Sequence, residues 1–177
     1  EELDAGRIGM IWGKANAVAD PPAKLRFMTE DEAFATSVTA RVWSQLMTAK
    51  SEVYMTSPYL VPGERGMEAF EDLCRRKVKV TLLTNSLAAN DEPLVHGGYA
   101  RYRERMLKAG VDLYELSPQR TTQNKRLGVF GNSLGRLHAK TAVLDREKVL
   151  LGSVNLDPRS ATSNTELGIM VESPQLA

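Results

Sequence analysis

Apolar positions along this chain follow two rhythms that take turns. Across residues 31–49, Phe34, Val38, Val42 and Leu46 recur every four residues, with Trp43 and Met47 beside them. That is the spacing of a helix with one buried face. Thr29 with Glu32 forms a capping box at its start. Residues 65–76 repeat the helical pattern, and so do residues 92–109. In the latter, Val95, Tyr99, Tyr102 and Met106 make the apolar side, and Arg101, Arg103, Arg105 and Lys108 the wet side. Gly110 ends that helix. Short apolar, β-prone runs at residues 7–12, 52–56, 77–84 and 111–116 predict strands between the helices. Two more, residues 138–144 and 148–155, flank the polar Asp145-Arg146-Glu147 and predict a hairpin, and residues 169–172 close the pattern. This alternation predicts one α/β domain over residues 1–177, with a mixed sheet and no internal repeat.

Two stretches break the rhythm. Residues 13–24 are rich in Ala, Asn and Pro and predict a flexible, lid-like loop, with a boundary at Asp20-Pro21-Pro22. Residues 117–136 are polar, carry Arg120, Lys125 and Arg126, and predict a loop on the substrate side that leads into His138.

The hairpin carries the chemistry. His138 and Lys140 share a strand face, and so do Ser153 and Asn155. With the turn centred on Arg146-Glu147, Lys140 falls opposite Ser153 and His138 opposite Asn155, which puts all four on one face. A slip of one residue sends two of them to the other face. Taken singly, a strand histidine, a lysine and a Gly-Ser pair are ordinary surface or turn residues. Together they are an imidazole, a compact cation and two neutral donors, a set that suits a phosphoryl group. Gly152 suits a close approach by backbone or ligand. The set lacks the carboxylate or thiolate cluster a metal requires, so neither a metal nor a cofactor is expected.

The spacing His138-x-Lys140-x4-Asp145-x6-Gly152-Ser153-x-Asn155 resembles the signature of the phospholipase D superfamily. Ser57-Pro58-Tyr59, Asn85-Ser86 and the stretch around His96 resemble bacterial cardiolipin synthases. The resemblance implies a phospholipase D-like α/β/α sandwich. It implies His138, Lys140, Asn155 and Glu166 as catalytic residues, with Glu166 orienting the histidine. Lys140, Ser153 and Asn155 bind phosphate, and Asp145 and Gly152 support the hairpin. His96, Tyr59, Asn85 and Ser86 are candidates for the pocket wall.

Composition narrows the function classes. A net charge of +1 disfavours nucleic acid as a partner. Cys74 is the single cysteine, so no intrachain disulfide forms, and its helical setting reads as a structural thiol. No apolar run reaches membrane-spanning length and no signal peptide is visible, so the chain itself is expected to be soluble. It opens on Glu1-Glu2-Leu3-Asp4 and is read as a piece of a longer protein. The resemblance implies a parent associated with the bacterial inner membrane.

Cleavage of a phosphodiester through a covalent intermediate needs one group to attack and another, across phosphorus, to protonate the leaving oxygen. One imidazole cannot do both at once. Members of the resembled family place two copies of the motif face to face. The expected partner is therefore an N-terminal motif-bearing half or a second copy of the chain. The expected substrate is a phospholipid, phosphatidylglycerol or phosphatidylethanolamine, at a membrane surface. The alternatives are a homodimeric single-motif phosphodiesterase or nuclease, and a half-domain that only binds phosphate or lipid headgroups.

Overall fold

The computed structural model describes residues 9, 11–117 and 136–177. The loop expected over residues 117–136 lies outside these except at its two ends; of the strand expected over residues 7–12, residues 9, 11 and 12 are described and none is in a strand. The elements are β1 (Lys14–Ala19), α1 (Glu30–Thr36), α2 (Val38–Leu46), β2 (Glu52–Thr56), α3 (Gly63–Arg75), β3 (Lys79–Asn85), α4 (Pro93–Ala109), β4 (Asp112–Leu116), β5 (Thr141–Leu144), β6 (Lys148–Gly152), α5 (Pro158–Thr162) and β7 (Leu167–Glu172), with short 3-10 turns at Pro22–Leu25 and Leu87–Ala89.

The strands form one mixed sheet in the order β1-β7-β6-β5-β2-β3-β4. Strands β2, β3 and β4 run parallel, joined through α3 and α4; the remaining pairings are antiparallel. Inward side chains of β2, β3 and β5 (Val53, Met55, Val80, Leu82, Ala142 and Leu144) meet Leu46 of α2, Phe70 and Leu73 of α3 and Met106 of α4 in one core. Burying each of the larger side chains contributes about 1.5–3 kcal/mol. Trp43 of α2 packs edge-on against Phe70, with ring centroids 5.2 Å apart. Gly110 ends α4 with φ +99°, a left-handed C-cap that glycine adopts without steric cost.

Three sequence expectations need correction. The loop expected at residues 13–24 is not a lid. Its first part is edge strand β1, paired antiparallel with β7. Its second part is a 3-10 turn that buries Lys24. Its small and polar residues suit an exposed edge, which lacks the apolar alternation of an inner strand.

The helix expected over residues 31–49 is two helices broken at Ser37, whose backbone is extended (ψ 155°). Ser37 caps the second helix by accepting from the Ala40 N–H at 2.9 Å, and Asp20 accepts the Val38 N–H at 2.6 Å. The apolar period runs through the break, although Phe34 of α1 lies beneath the Arg65 guanidinium while Val42 and Leu46 of α2 pack in the core; only the caps reveal it.

The hairpin register is one residue away from that expected. Thr141 pairs with Leu151 and Leu144 with Lys148, leaving a three-residue turn, Asp145-Arg146-Glu147. Asp145 and Arg146 both have positive φ, 52° and 54°. Lys140 therefore meets Gly152, whose N–H donates to the Lys140 carbonyl at 3.3 Å, and not Ser153.

The candidate active site at the sheet end

Strand β5 runs antiparallel to β2, with Thr141 beside Thr56. The C-terminal ends of β2, β3 and β6 and the starts of β5 and β7 therefore gather at one end of the sheet. Loops at the carboxyl ends of sheet strands are where open α/β folds bind ligands. The segment holding His138 and Lys140 lies there, just before β5.

Two side chains tether this segment. Thr56 Oγ1 donates to the Ala139 carbonyl at 3.3 Å. Asn85, 2% exposed, holds both backbone groups of Leu137. Asn85, a candidate for the pocket wall, grips the segment that presents His138. The His138 side chain is exposed, and Lys140 Nζ turns back to donate to the His138 carbonyl at 2.8 Å. Burial lowers the Lys140 pKa, against the opposing pull of Glu166, Asp157 and Asp91. A hollow lined by His138, Lys140, Thr141, Gly152 and Ser153 opens beside them.

Cross-strand opposition does not bring Ser153 and Asn155 here, because β6 ends at Gly152. The chain leaves the sheet and is caught by the loop after β2. The Leu156 N–H donates to Ser57 Oγ at 3.1 Å, and the Val61 N–H to the Leu156 carbonyl at 2.6 Å. A side chain at Gly152 would put its Cβ 2.3 Å from the Leu167 carbonyl oxygen, so the close approach at this glycine is by the backbone of β7. Ser153 Oγ donates to Glu166 Oε2 and accepts the Leu167 N–H at 3.0 Å. Ser160, fully buried on α5, donates to Glu166 Oε1 at 2.7 Å and accepts the Asn155 N–H at 3.2 Å. Glu166 is thus buried with each carboxylate oxygen held by a hydroxyl. The Asn155 Oδ1 is buried without a partner among the described residues.

Tyr59 donates to Asp91 Oδ1 at 3.0 Å, and burial with that bond raises its pKa. His96, in the first turn of α4, stacks edge-on against Tyr99 at 5.5 Å and has a buried Nδ1 without a partner among the described residues. Ser86 Oγ is buried and likewise lacks one.

Asp145 sits at the other end of the hairpin. Its carboxylate accepts the N–H groups of Lys50, Ser51 and Glu52, together with the Ser51 hydroxyl. Burial works to raise its pKa, but these bonds prevail and hold it at about 2. Its partners are backbone amides and a hydroxyl.

Sequence reasoning missed Asp20 and Lys24. The Lys24 ammonium lies 2.5 Å from the Asp20 carboxylate, with both side chains fully buried. The available signal was opposite charges four residues apart across Pro21-Pro22, where proline favours the first helical turn. The basic face of α4 is largely spoken for. Arg105 pairs with Glu64 and Glu71, Arg103 with Glu115, and Lys108 with Glu104. Among the described residues no group of three or more His, Cys, Asp or Glu side chains is arranged to hold a metal ion, and no helix is long and apolar enough to cross a membrane.

A second cavity, about 140 Å³, lies between α2 and the sheet. Val18, Val42, Met55, Ala142, Leu150 and Met170 are among its walls, and it shares Lys140, Thr141, Leu151 and Gly152 with the hollow at His138.

Known proteins resemble this chain in sequence and in fold. The chain is 43% identical over 176 residues to cardiolipin synthase C of Escherichia coli, an alignment covering 97% of this chain and 36% of that protein. An uncharacterised protein of Helicobacter pylori is 32% identical over 95% of this chain and 32% of its own length. The chain thus spans about a third of the length of these curated relatives. In fold it matches the phospholipase D family member Nuc from Salmonella typhimurium, with a TM-score of 0.62, 17% identity and coverage of 93% of this chain and 87% of that one. The family model described as cardiolipin synthase, phospholipase D-like domain, matches residues 42–177, and the chain belongs to that family.

Proposed function

We propose that this chain supplies one half of a phosphodiester-transfer site acting on phospholipids, in the manner of a cardiolipin synthase. His138 is the general acid and base of its half. It protonates the leaving alcohol, then takes the proton from the incoming hydroxyl. A histidine from a facing copy of the motif attacks phosphorus and carries the phosphatidyl group as phosphohistidine between the two steps. Lys140 and Asn155 hold the phosphoryl oxygens, and Ser153 supports them through Glu166. Charged hydrogen bonds of this kind contribute about 1.5–3 kcal/mol each. Glu166 orients His138 within the assembled site. The acceptor is the hydroxyl of a second lipid; with water in its place the reaction is hydrolysis.

The observation that carries the lipid reading is the apolar cavity sharing Lys140 with the His138 hollow. A polar phosphate end that shares its walls with a mainly apolar chamber suits an amphiphile. The ion-paired face of α4 adds to this, because a nuclease relies on unpaired cations along the backbone track. The whole protein is read as membrane-associated, with the facing copy supplied by another half of the same protein or by a twin chain.

The test is incubation of the intact protein that carries this chain with vesicles of phosphatidylglycerol, and separately with single-stranded DNA. Cardiolipin with released glycerol, or phosphatidic acid, is the expected product. Cleavage of DNA with lipid untouched would overturn the lipid reading in favour of the nuclease.

A further inference from the structure

The structure assigns the buried Asp20–Lys24 ion pair as the device that positions Glu166, and through it Ser153 and Asn155, for the transfer reaction. This assignment rests on the proposed function above. Both residues precede the stretch that the family model matches, residues 42–177.

Asp20 holds Glu166 from both sides of its backbone. The Glu166 N–H donates to Asp20 Oδ2 at 2.9 Å, and the Asp20 N–H donates to the Glu166 carbonyl at 2.9 Å. Asp20 Oδ1 takes the Val38 N–H at the start of α2. Lys24 Nζ reaches past Asp20 to the Ser160 carbonyl at 2.9 Å, which Thr39 Oγ1 also meets at 3.2 Å. Ser160 is the residue that gives its hydroxyl to Glu166 and receives the Asn155 N–H. Glu166 and Ser160, one of its two hydroxyl partners, are therefore each fixed by one member of the pair.

Stability alone is a weak reason for such a pair. Removing two charges from water is costly, and a buried pair replaced by apolar side chains of like volume often loses nothing. What the pair provides is fixed geometry. Each charge accepts or donates only to backbone groups or to its partner, and those groups belong to the elements carrying Glu166, Ser160 and α2. Misplacing a catalytic carboxylate by about 1 Å is enough to cost about 10²-fold in rate.

The test compares four forms of the intact protein on phosphatidylglycerol vesicles: wild type, the double substitution Asp20→Asn with Lys24→Met, Glu166→Gln, and the triple combination. The double substitution removes both charges together and nearly preserves side-chain size. Its expected effect is a fall in kcat of about 10²-fold with KM unchanged, and no further fall when it is added to Glu166→Gln. A Phe70→Leu core variant of similarly lowered melting temperature serves as control and should keep its kcat. An unchanged kcat in the double variant, losses that multiply with those of Glu166→Gln, or an equal loss in the Phe70→Leu control would overturn the assignment. If Glu166→Gln alone leaves kcat intact, the underlying site reading fails instead, and the assignment falls with it. Should the double variant lack a cooperative melt, Asp20→Glu, which keeps the charge and lengthens the side chain by one methylene, takes its place with the same expectations.

Discussion

Asn85 and Leu137, 52 residues apart, are joined by two hydrogen bonds: Asn85 Nδ2 donates to the Leu137 carbonyl at 3.1 Å and the Leu137 N–H donates to Asn85 Oδ1 at 2.9 Å. The carboxamide thereby does for Leu137 what a neighbouring strand would do, at the one place where the chain has left the sheet and is about to present His138. Asn85→Ala removes both bonds and strands two backbone groups, at about 1–3 kcal/mol for each group left unsatisfied. The expected result is a lower melting temperature together with a fall in kcat. Asn85→Asp, of the same shape, retains the acceptor but not the donor, and is expected to fall between wild type and Asn85→Ala in a melting and turnover series.

The Asp145 carboxylate is held at about 2 by backbone amides at the start of β2. Its unfolded value lies near 3.9. A group whose folded pKa is depressed contributes stability that is present above the unfolded pKa and lost as pH falls through the folded one. Discounted for screening by the solvent that reaches this carboxylate, the contribution is about 1 kcal/mol at neutral pH and fades between about pH 4 and pH 2. Asp145→Asn should therefore unfold at lower denaturant concentration at pH 7. The gap between the two proteins should close on acidification, as measured by denaturant melts at stepped pH.

Gly152 is in van der Waals conflict with any side chain, because the Leu167 carbonyl occupies the Cβ position. Gly152→Ala must push β7 away or shift the β6 register. Overpacking of this kind costs about 1–3 kcal/mol. Glu166 and Ser153 lie beside this contact, so activity should fall further than stability explains. The check is thermal melting alongside turnover.

The sequence made the helices, most strands and the chemical set legible because apolar period and motif spacing are local properties. What was not legible depends on distant partners. The one-residue difference in hairpin register follows from Asp145 and Arg146 adopting positive φ, and the amides that hold Asp145 there come from Lys50, Ser51 and Glu52. The break at Ser37 is sealed by Asp20, and the burial of Lys24 is decided by the Ser160 carbonyl, 136 residues away. Ser153 and Asn155 do reach the site end of the sheet. They arrive by a chain segment folding back onto Ser57 and Glu166, not by sitting across from His138 and Lys140.

The proposed half-site makes activity depend on assembly. The isolated chain as a monomer is expected to be inactive on phosphatidylglycerol, with turnover appearing only in forms that bring two copies of the motif together. Sedimentation and turnover measured on the same sample check this. Robust turnover by a proven monomer would contradict the requirement for a facing copy.

In the proposed reaction His138 gives a proton to the leaving oxygen and takes one from the incoming hydroxyl, from a segment that the fold holds independently of the imidazole. The most direct test is turnover of phosphatidylglycerol by the intact protein with His138→Ala. Loss of a catalytic acid and base is expected to lower kcat by at least about 10²-fold. The melting temperature should barely move, because the side chain is exposed. Turnover within a few-fold of wild type, in a protein that melts as wild type does, would contradict the account.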